Sequence, residues 1–215
     1  PIPIPLAVLT QELSLPIQTA WLIPLYGFAG MLVSLPWASG LVRRDAHRPA
    51  AYLNILLTLL AFGHGSLILQ QVYQSGPVDL AFPWLTVADL ELDISFSLSL
   101  TNLVALELIT GLSLFSQVYS LGYMDKEWAL ARFFALLGFF EGAMSGVVLS
   151  DSLFQSYFLL EMLTLSTYLL VGFWYAQPLV VTAARDAFLT KRVGDVLLLM
   201  GVVALCSYSG AMGFN

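Results

Sequence analysis

The stretch Gln155-Ser-Tyr-Phe-Leu-Leu-Glu-Met-Leu-Thr-Leu-Ser-Thr-Tyr-Leu-Leu-Val-Gly-Phe-Trp174 decides how this sequence folds. It is long enough to cross a bilayer, which requires about 20 mostly apolar residues. It nevertheless carries one acid, Glu161, well inside the run. A charged side chain near the centre of a membrane helix costs on the order of 2.5–3.5 kcal/mol. Because of this cost, Glu161 is the first candidate functional residue.

The composition indicates an all-α integral membrane protein. The chain has 215 residues, of which 59% are hydrophobic and 10% are charged. Soluble domains carry about 25% charged residues, so a soluble globular protein is excluded. The length accommodates about six transmembrane helices, and neither an internal repeat nor a linker divides them. We therefore interpret residues 1–215 as a single helical bundle.

Hydropathy places the six spans and the segments between them. Residues 1–16 are rich in proline and are predicted to form an extended arm or an interfacial segment. Pro24 and Pro36 predict a bend in the first span. Between the second and third spans, Leu90–Leu98 alternates apolar and polar residues, which predicts a strand of a short β-hairpin over residues 74–95 that lies on the membrane face. The spans are predicted at about 17–41, 51–72, 98–119, 132–149, 153–174 and 187–208.

The cations predict the orientation of the bundle. All eight fall in the loops or helix ends after the first, third and fifth spans. By the positive-inside rule these three loops face the cytoplasmic side, whereas the N-terminus and the hairpin face the opposite side. The cations are Arg43, Arg44, Arg48, Lys126, Arg132, Arg185, Lys191 and Arg192.

Three mid-span carboxyl groups and a charged cluster are candidates for a proton relay. The carboxyl groups belong to Glu107, Glu141 and Glu161, and the cluster at the start of the sixth span includes Lys191, Arg192 and Asp195. Burial and a movable cation shift the pKa of a carboxyl group in opposite directions, so such a pair can switch protonation. Rows of such groups within a membrane mark proton pathways.

Arg192 and Asp195 are three residues apart on a helix, so they share a face and can pair with each other. Lys191 then points elsewhere and is free to face another helix. The alternatives are structural: each glutamate can be an interhelical hydrogen-bonding pin, and Arg192 with Asp195 can be a surface anchor. His64 is interpreted as an interhelical hydrogen-bonder rather than a ligand.

The sequence lacks the motifs of several functional classes. It contains no P-loop, no glycine-rich dinucleotide fingerprint and no HExxH motif, and its one cysteine and two histidines make neither an iron–sulfur nor a metal site. We therefore expect no redox centre, cofactor or metal in this chain, and no binding of nucleic acid. Lipids are expected around the apolar spans.

Four motifs occur in an order that resembles a known family. They are Tyr119–Met124, Arg132–Ala135, Tyr168–Trp174 and Arg192–Asp195. They resemble the antiporter-like large subunit (chain 5) of respiratory complex I and of its photosynthetic relatives, and multisubunit Na⁺/H⁺ antiporters share the same core. The resemblance implies a proton-translocating subunit of a quinone-reducing oxidoreductase.

The resemblance also implies residue roles. Glu161 matches the family's key glutamate on the fifth helix, and Arg192 and Asp195 match its sixth-helix pair. The family's partner lysine lies on a later helix that this sequence does not reach. Together with the first residue, Pro1, this predicts the incomplete N-terminal part of a longer subunit. Glu107 and Glu141 fall where the family is usually apolar.

The run Leu159–Leu165 resembles a cyanobacterial variant that belongs to the CO₂-uptake form of photosynthetic complex I. The implied complex is a ferredoxin–plastoquinone oxidoreductase of the thylakoid membrane, with the N-terminus of this chain on the lumenal side. Its iron–sulfur clusters and plastoquinone site lie in partner subunits, which include a neighbouring antiporter-like subunit. A carbonic-anhydrase-like zinc subunit is implied on the cytoplasmic face, and Glu107 and Glu141 would then carry away the proton released by CO₂ hydration.

Two other functions remain open from the sequence. The first is a subunit of a multisubunit Na⁺/H⁺ antiporter that works without electron transfer. The second is a structural docking subunit, which would tolerate neutral replacements of all three mid-span glutamates.

Overall fold

The computed structural model of the protein describes residues 14–42, 48–87 and 90–209. Within these residues six long helices follow one short helix, and a two-stranded hairpin lies between the second and third of the long helices. The helices are α1 Leu15–Gln18, α2 Leu22–Ala38, α3 Arg48–Ser75, α4 Leu100–Tyr123, α5 Leu130–Leu149, α6 Leu153–Val171 and α7 Pro178–Ser209, and the strands are β1 Val78–Val87 and β2 Leu90–Leu98.

The prediction of an all-α membrane protein with a small hairpin is confirmed. Each of the six predicted spans corresponds to one long helix. Helices α3, α4, α5 and α6 are long and apolar enough to cross a membrane, and α2 is a shorter apolar helix. Of the proline-rich segment, residues 1–13 lie outside the described residues, and Pro16 belongs to α1.

The boundaries of the first and last spans differ from the prediction. The first span is interrupted by a turn between α1 and α2, so its long helix starts at Leu22 rather than Ile17. The last helix starts at Pro178, well before the predicted residue 187. A proline is tolerated at a helix start, because the first amides have no intrahelical acceptor. Arg185 to Asp195 therefore lie inside α7 and not at its entrance.

Helix α5 lies against α2 at a distance that only glycine permits. A Cβ atom at Gly27 of α2 would lie 2.4 Å from the backbone nitrogen of Gly142, and one at Gly138 would lie 2.9 Å from the Gly27 carbonyl oxygen. On its other side, a Cβ at Gly146 would lie 3.0 Å from Leu159 of α6. The sequence contains this signal as Gly138-xxx-Gly142-xxx-Gly146, a small-residue spacing typical of membrane helix contacts. Our sequence interpretation missed it.

The predicted hairpin is confirmed, and it covers the turn between α5 and α6. Strands β1 and β2 are antiparallel, with Val78 opposite Leu98. The Asp151 amide donates to the Ser95 carbonyl oxygen at 3.1 Å, and the Ser95 amide donates to Oε1 of Gln155 at 3.0 Å. Burial, together with the nearby Asp79 carboxylate, raises the pKa of Asp151 above its ordinary value.

Contacts at the other end of the bundle bring the basic loops together. Arg48 forms an ion pair with Asp125, and Arg132 donates to the carbonyl oxygen of Phe173. The connections after α2, α4 and α6 therefore lie at one end, and the hairpin lies at the other. Arg43 and Arg44 fall outside the described residues, and the side of the membrane that the basic end faces stays a prediction.

A methyl group at the α2–α5 contact should destabilise the bundle. We expect Gly142→Ala to lower the free energy of unfolding by about 1–3 kcal/mol, because its Cβ would lie 2.8 Å from the Pro24 carbonyl oxygen. Gly63→Ala is the matched control, since a Cβ there has nothing within 4 Å. Thermal unfolding in detergent measures both variants, and equal midpoints would contradict the close contact.

Candidate functional site

Glu161 lies at the interface between α6 and α7, where it is paired with a cation. Its Oε2 accepts a charge-assisted hydrogen bond from Arg192, and its Oε1 accepts one from the Tyr157 hydroxyl at 2.8 Å. The Glu161 side chain is 18% exposed, and that of Arg192 is 40% exposed. The guanidinium carbon of Arg192 lies 4.9 Å from the centre of the Phe188 ring, a distance at which a cation is attracted to the ring face.

The predicted pair between Arg192 and Asp195 is not formed. Arg192 reaches instead to Glu161 on the preceding helix. Because α7 begins at Pro178, about four turns before Arg192, Arg192 lies well inside the helix and at the depth of Glu161. Among the described residues, Oδ2 of Asp195 is buried and has no hydrogen-bond partner. Arg192 thus has one carboxylate bound and a second one turn further along its own helix.

Lys191 faces α6, as expected from its position beside Arg192. Its Nζ donates to Oγ1 of Thr167 at 3.2 Å, at an exposed position. Thr167 is about one and a half turns from Glu161 on α6, so Lys191 lies near the Glu161–Arg192 pair but does not contact Glu161 in the described structure. Its part in a proton relay stays a prediction.

Glu107 and Glu141 lie at a different interface, formed by α3, α4 and α5. Oε2 of Glu107 accepts from the Ser66 hydroxyl at 3.0 Å. Oε2 of Glu141 accepts from Thr58 at 2.6 Å, from Ser113 at 3.0 Å and from Gln117 at 3.1 Å. Both acids therefore face helix α3.

The six predicted relay residues thus fall into two groups. Glu161, Lys191, Arg192 and Asp195 lie on α6 and α7, whereas Glu107 and Glu141 lie on α4 and α5. Within the part of the chain that the structure describes, no hydrogen bond or ion pair joins the two groups.

Sequence reasoning missed the neutral polar partners of these acids. Tyr157 is four residues before Glu161 and on the same helix face. On α4, polar residues recur every three or four positions through an otherwise apolar helix, a spacing that indicates one polar face. That spacing was the available signal, and its members are Glu107, Thr110, Ser113, Gln117 and Ser120.

His64 makes interhelical contacts, as interpreted from the sequence. Its Nε2 lies 3.0 Å from the Pro16 carbonyl oxygen and 3.2 Å from Oγ1 of Thr19. These contacts tie α3 to the short helix α1 and to the turn that follows it.

Comparisons with known families match two parts of the chain. Residues 84–134 match the N-terminus of chain 5 of NADH-ubiquinone oxidoreductase (complex I). Residues 150–215 match the transmembrane region of NADH:quinone oxidoreductase and Mrp antiporter subunits.

Curated relatives and a solved structure agree with these matches. Subunit 5 of the NAD(P)H-quinone oxidoreductase of Paulinella chromatophora (organellar chromatophore) is 73% identical over 96% of this chain and 34% of the relative. The chloroplastic subunit 5 of Chlorokybus atmophyticus is 33% identical over 91% of this chain and 30% of the relative. This chain therefore spans about a third of the length of these relatives. The Mrp complex of Dietzia sp. DQ12-45-1b has the same fold, with a TM-score of 0.70 at 21% identity over 91% of this chain and 20% of that one.

The Glu161–Arg192 pair should show energetic coupling. We expect Glu161→Gln, Arg192→Gln and the double variant to give a coupling free energy between about 0.5 and 3 kcal/mol, because each single variant leaves a partly buried charge unpaired. The unfolding midpoints of the three variants and the parent measure it. The control cycle uses Arg185 and Asp186, which are 62% and 60% exposed and should couple weakly. Equal coupling in both cycles would contradict the assignment.

Proposed function

Since this chain belongs to the family of antiporter-like membrane subunits that includes chain 5 of complex I, we propose that it is a proton-translocating subunit of a complex I-like quinone oxidoreductase. The observation that carries the proposal is the Glu161–Arg192 pair between α6 and α7. A carboxylate that is held in the membrane by a single cation changes its proton affinity when that cation moves.

In this proposal Arg192 moves between Glu161 and Asp195. Asp195 lies one turn beyond Arg192 on α7, and within the described structure its Oδ2 has no partner. If Arg192 moves towards Asp195, Glu161 loses its counter-charge and takes up a proton. When Arg192 returns, the proton is expelled. The Tyr157 hydroxyl, 2.8 Å from Oε1, holds the Glu161 side chain in place in both states.

The proposed oxidoreductase chemistry is carried by other subunits. The relatives are named as subunits of NAD(P)H-quinone oxidoreductases, which supports assembly of this chain with other membrane subunits. In this proposal those partners include a second antiporter-like subunit. In this proposal the iron–sulfur clusters and the quinone site lie in those partners. This chain contributes the movement of protons.

The more specific form of the proposal is the thylakoid complex I that is coupled to CO₂ uptake, with ferredoxin as electron donor and plastoquinone as acceptor. It is supported by the second pair of membrane acids, Glu107 and Glu141, which lie apart from the Glu161 pair. Hydration of CO₂ releases a proton, and in this proposal the carboxyl groups of Glu107 and Glu141 accept it. The zinc-carrying, carbonic-anhydrase-like partner would then bind at the basic end of the bundle.

An antiporter subunit that works without electron transfer is the alternative. It predicts Na⁺-dependent transport by a complex that lacks a quinone-reducing arm. Co-purification of this chain with such an arm supports the oxidoreductase proposal instead.

Neutralising Glu161 should uncouple proton movement from electron transfer. In Glu161→Gln, we expect proton uptake by membrane vesicles to fall at least about tenfold, because the amide cannot exchange a proton. Quinone reduction and assembly of the complex should persist. Ser166→Ala on the same helix is the control, since the Ser166 hydroxyl donates to the Leu163 carbonyl oxygen within its own helix. Normal pumping by Glu161→Gln would refute the relay.

The CO₂-uptake form predicts a different effect for the second group of acids. Glu107→Gln and Glu141→Gln should each reduce CO₂ uptake by cells severalfold while electron flow through the complex changes little. Uptake of inorganic carbon and re-reduction of the photosynthetic electron carriers measure the two quantities. An equal loss of both, or a loss of neither, would rule out the specialised role.

A further inference from the structure

A cavity of about 200 Å³ lies at the basic end of the bundle, between α2, α5 and the connection from α6 to α7. Arg132 lines it together with three aromatic side chains, those of Trp37, Trp128 and Tyr175. The other lining residues are alanines, and none of the described residues that line the cavity is acidic. One water molecule needs only about 10–15 Å³ of such space. The cavity can therefore hold a group of several heavy atoms.

Arg132 is held beside this cavity by neutral groups. Its guanidinium group donates to the Phe173 carbonyl oxygen, and its Cζ lies 4.7 Å from the centre of the Phe173 ring. The centre of the Tyr175 ring lies 4.9 Å from the same atom. A cation is attracted to the face of an aromatic ring within about 6 Å. These contacts hold the guanidinium group against the α6–α7 connection, but they supply no negative charge.

The charge of Arg132 and part of its hydrogen-bonding capacity are unmatched. The ion pairs of the described residues involve Arg48, Arg185 and Arg192, but not Arg132. Among the described residues, Nε of Arg132 is buried and has no hydrogen-bond acceptor. Buried donors are rarely left unsatisfied, and the cost is larger when the donor is charged. The site therefore calls for an anionic acceptor.

The surroundings of the cavity are those of the head-group layer of a membrane. Trp37 lies one residue before the end of α2, Trp128 lies two residues before the start of α5, and Tyr175 lies between α6 and α7. Tryptophan and tyrosine are enriched at this level, because their rings are apolar at one end and polar at the other. Leu35 and Trp174, on the same elements, are exposed and offer apolar surface to acyl chains. Basic pockets between membrane helices bind the head groups of anionic lipids.

We propose that this cavity binds the phosphate group of an anionic membrane lipid, with Arg132 as its counter-charge. A guanidinium group presents its N–H donors in a planar fork that matches the oxygens of a phosphate group. The aromatic side chains pack against the glycerol and the first methylene groups of the lipid. The lipid contacts three separate elements of the bundle. The inference goes beyond proton translocation and does not depend on it.

Photo-crosslinking to the intact purified complex tests the site. The probe is a phosphatidylglycerol that carries a diazirine in its acyl chain close to the glycerol, and mass spectrometry quantifies the labelled peptides of this chain. We expect labelling of the peptides that contain Trp37, Trp128 and Tyr175. Unlabelled phosphatidylglycerol should suppress this labelling, whereas phosphatidylcholine or inorganic phosphate at the same concentration should not.

Two variants separate the charge of the site from its space. Arg132→Gln should raise the phosphatidylglycerol concentration that half-suppresses labelling about tenfold, because a charge-assisted hydrogen bond is lost. Ala38→Phe keeps Arg132 but fills the cavity that Ala38 lines, so it should reduce labelling as well. It also decides the question if Arg132→Gln does not assemble. Arg48→Gln is the control, since it removes a cation at the same end of the bundle that does not line the cavity.

Unchanged labelling in Arg132→Gln or in Ala38→Phe would overturn the proposal, and so would an equal loss in Arg48→Gln. Suppression by inorganic phosphate as effective as that by the lipid would indicate a site for a free anion instead. Loss of a partner subunit from the Arg132→Gln complex with unchanged labelling would assign the cavity to a carboxylate of that partner. Either result would contradict a lipid site.

Discussion

The backbone contact between α2 and α5 is the constraint on which the rest of the bundle depends. At Gly27 and Gly142 the two helices approach so closely that neither position has room for a Cβ atom. This contact fixes the rotation of α5 about its own axis. Since Glu141 precedes Gly142, the rotation that turns Gly142 to α2 turns Glu141 to α3 and α4, where its partners lie. One turn further along α5, Gly146 leaves room for the Leu159 side chain of α6. The helix that carries Glu161 therefore packs against α5 as well.

The carboxyl groups of Glu161 and Glu141 are stabilised by different kinds of partner. Glu161 has a full counter-charge in Arg192 and one neutral donor in Tyr157. Glu141 has three neutral donors and, among the described residues, no cation within hydrogen-bond distance. Neutral donors satisfy an oxygen but do not neutralise its charge. The first arrangement therefore fits the proposed switch, in which a cation moves, whereas the second offers, within the described residues, no cation that could move.

Much of the architecture was predictable because the bilayer constrains it. Spans have to be long and apolar, and the period-two alternation of Leu90–Leu98 could only be a strand, so the helices and the hairpin were found. The mid-span positions of Glu107, Glu141 and Glu161 were visible for the same reason. The partner of Arg192 was not predictable from the sequence. Asp195 is close to Arg192 along the chain, whereas Glu161 comes close to it only because of how α7 packs against α6. The error followed from placing the start of α7 at residue 187, which moved the charged cluster to the membrane surface.

Arg192 on α7 and Glu141 on α5 lie in differently packed surroundings. Helix α7 exposes large apolar side chains on much of its length, among them Val193 at 65% and Leu197 at 64%. Arg192 lies on this helix, and a second carboxylate, that of Asp195, lies one turn further along. Helix α5, by contrast, is the most buried of the candidate spans, with 56% of its apolar window inside the bundle. The proposed ion-pair switch needs a side chain that can leave its partner. Glu141 therefore lies in the tightly packed centre of the bundle, whereas Glu161 and Arg192 lie at an interface whose outer helix is largely exposed.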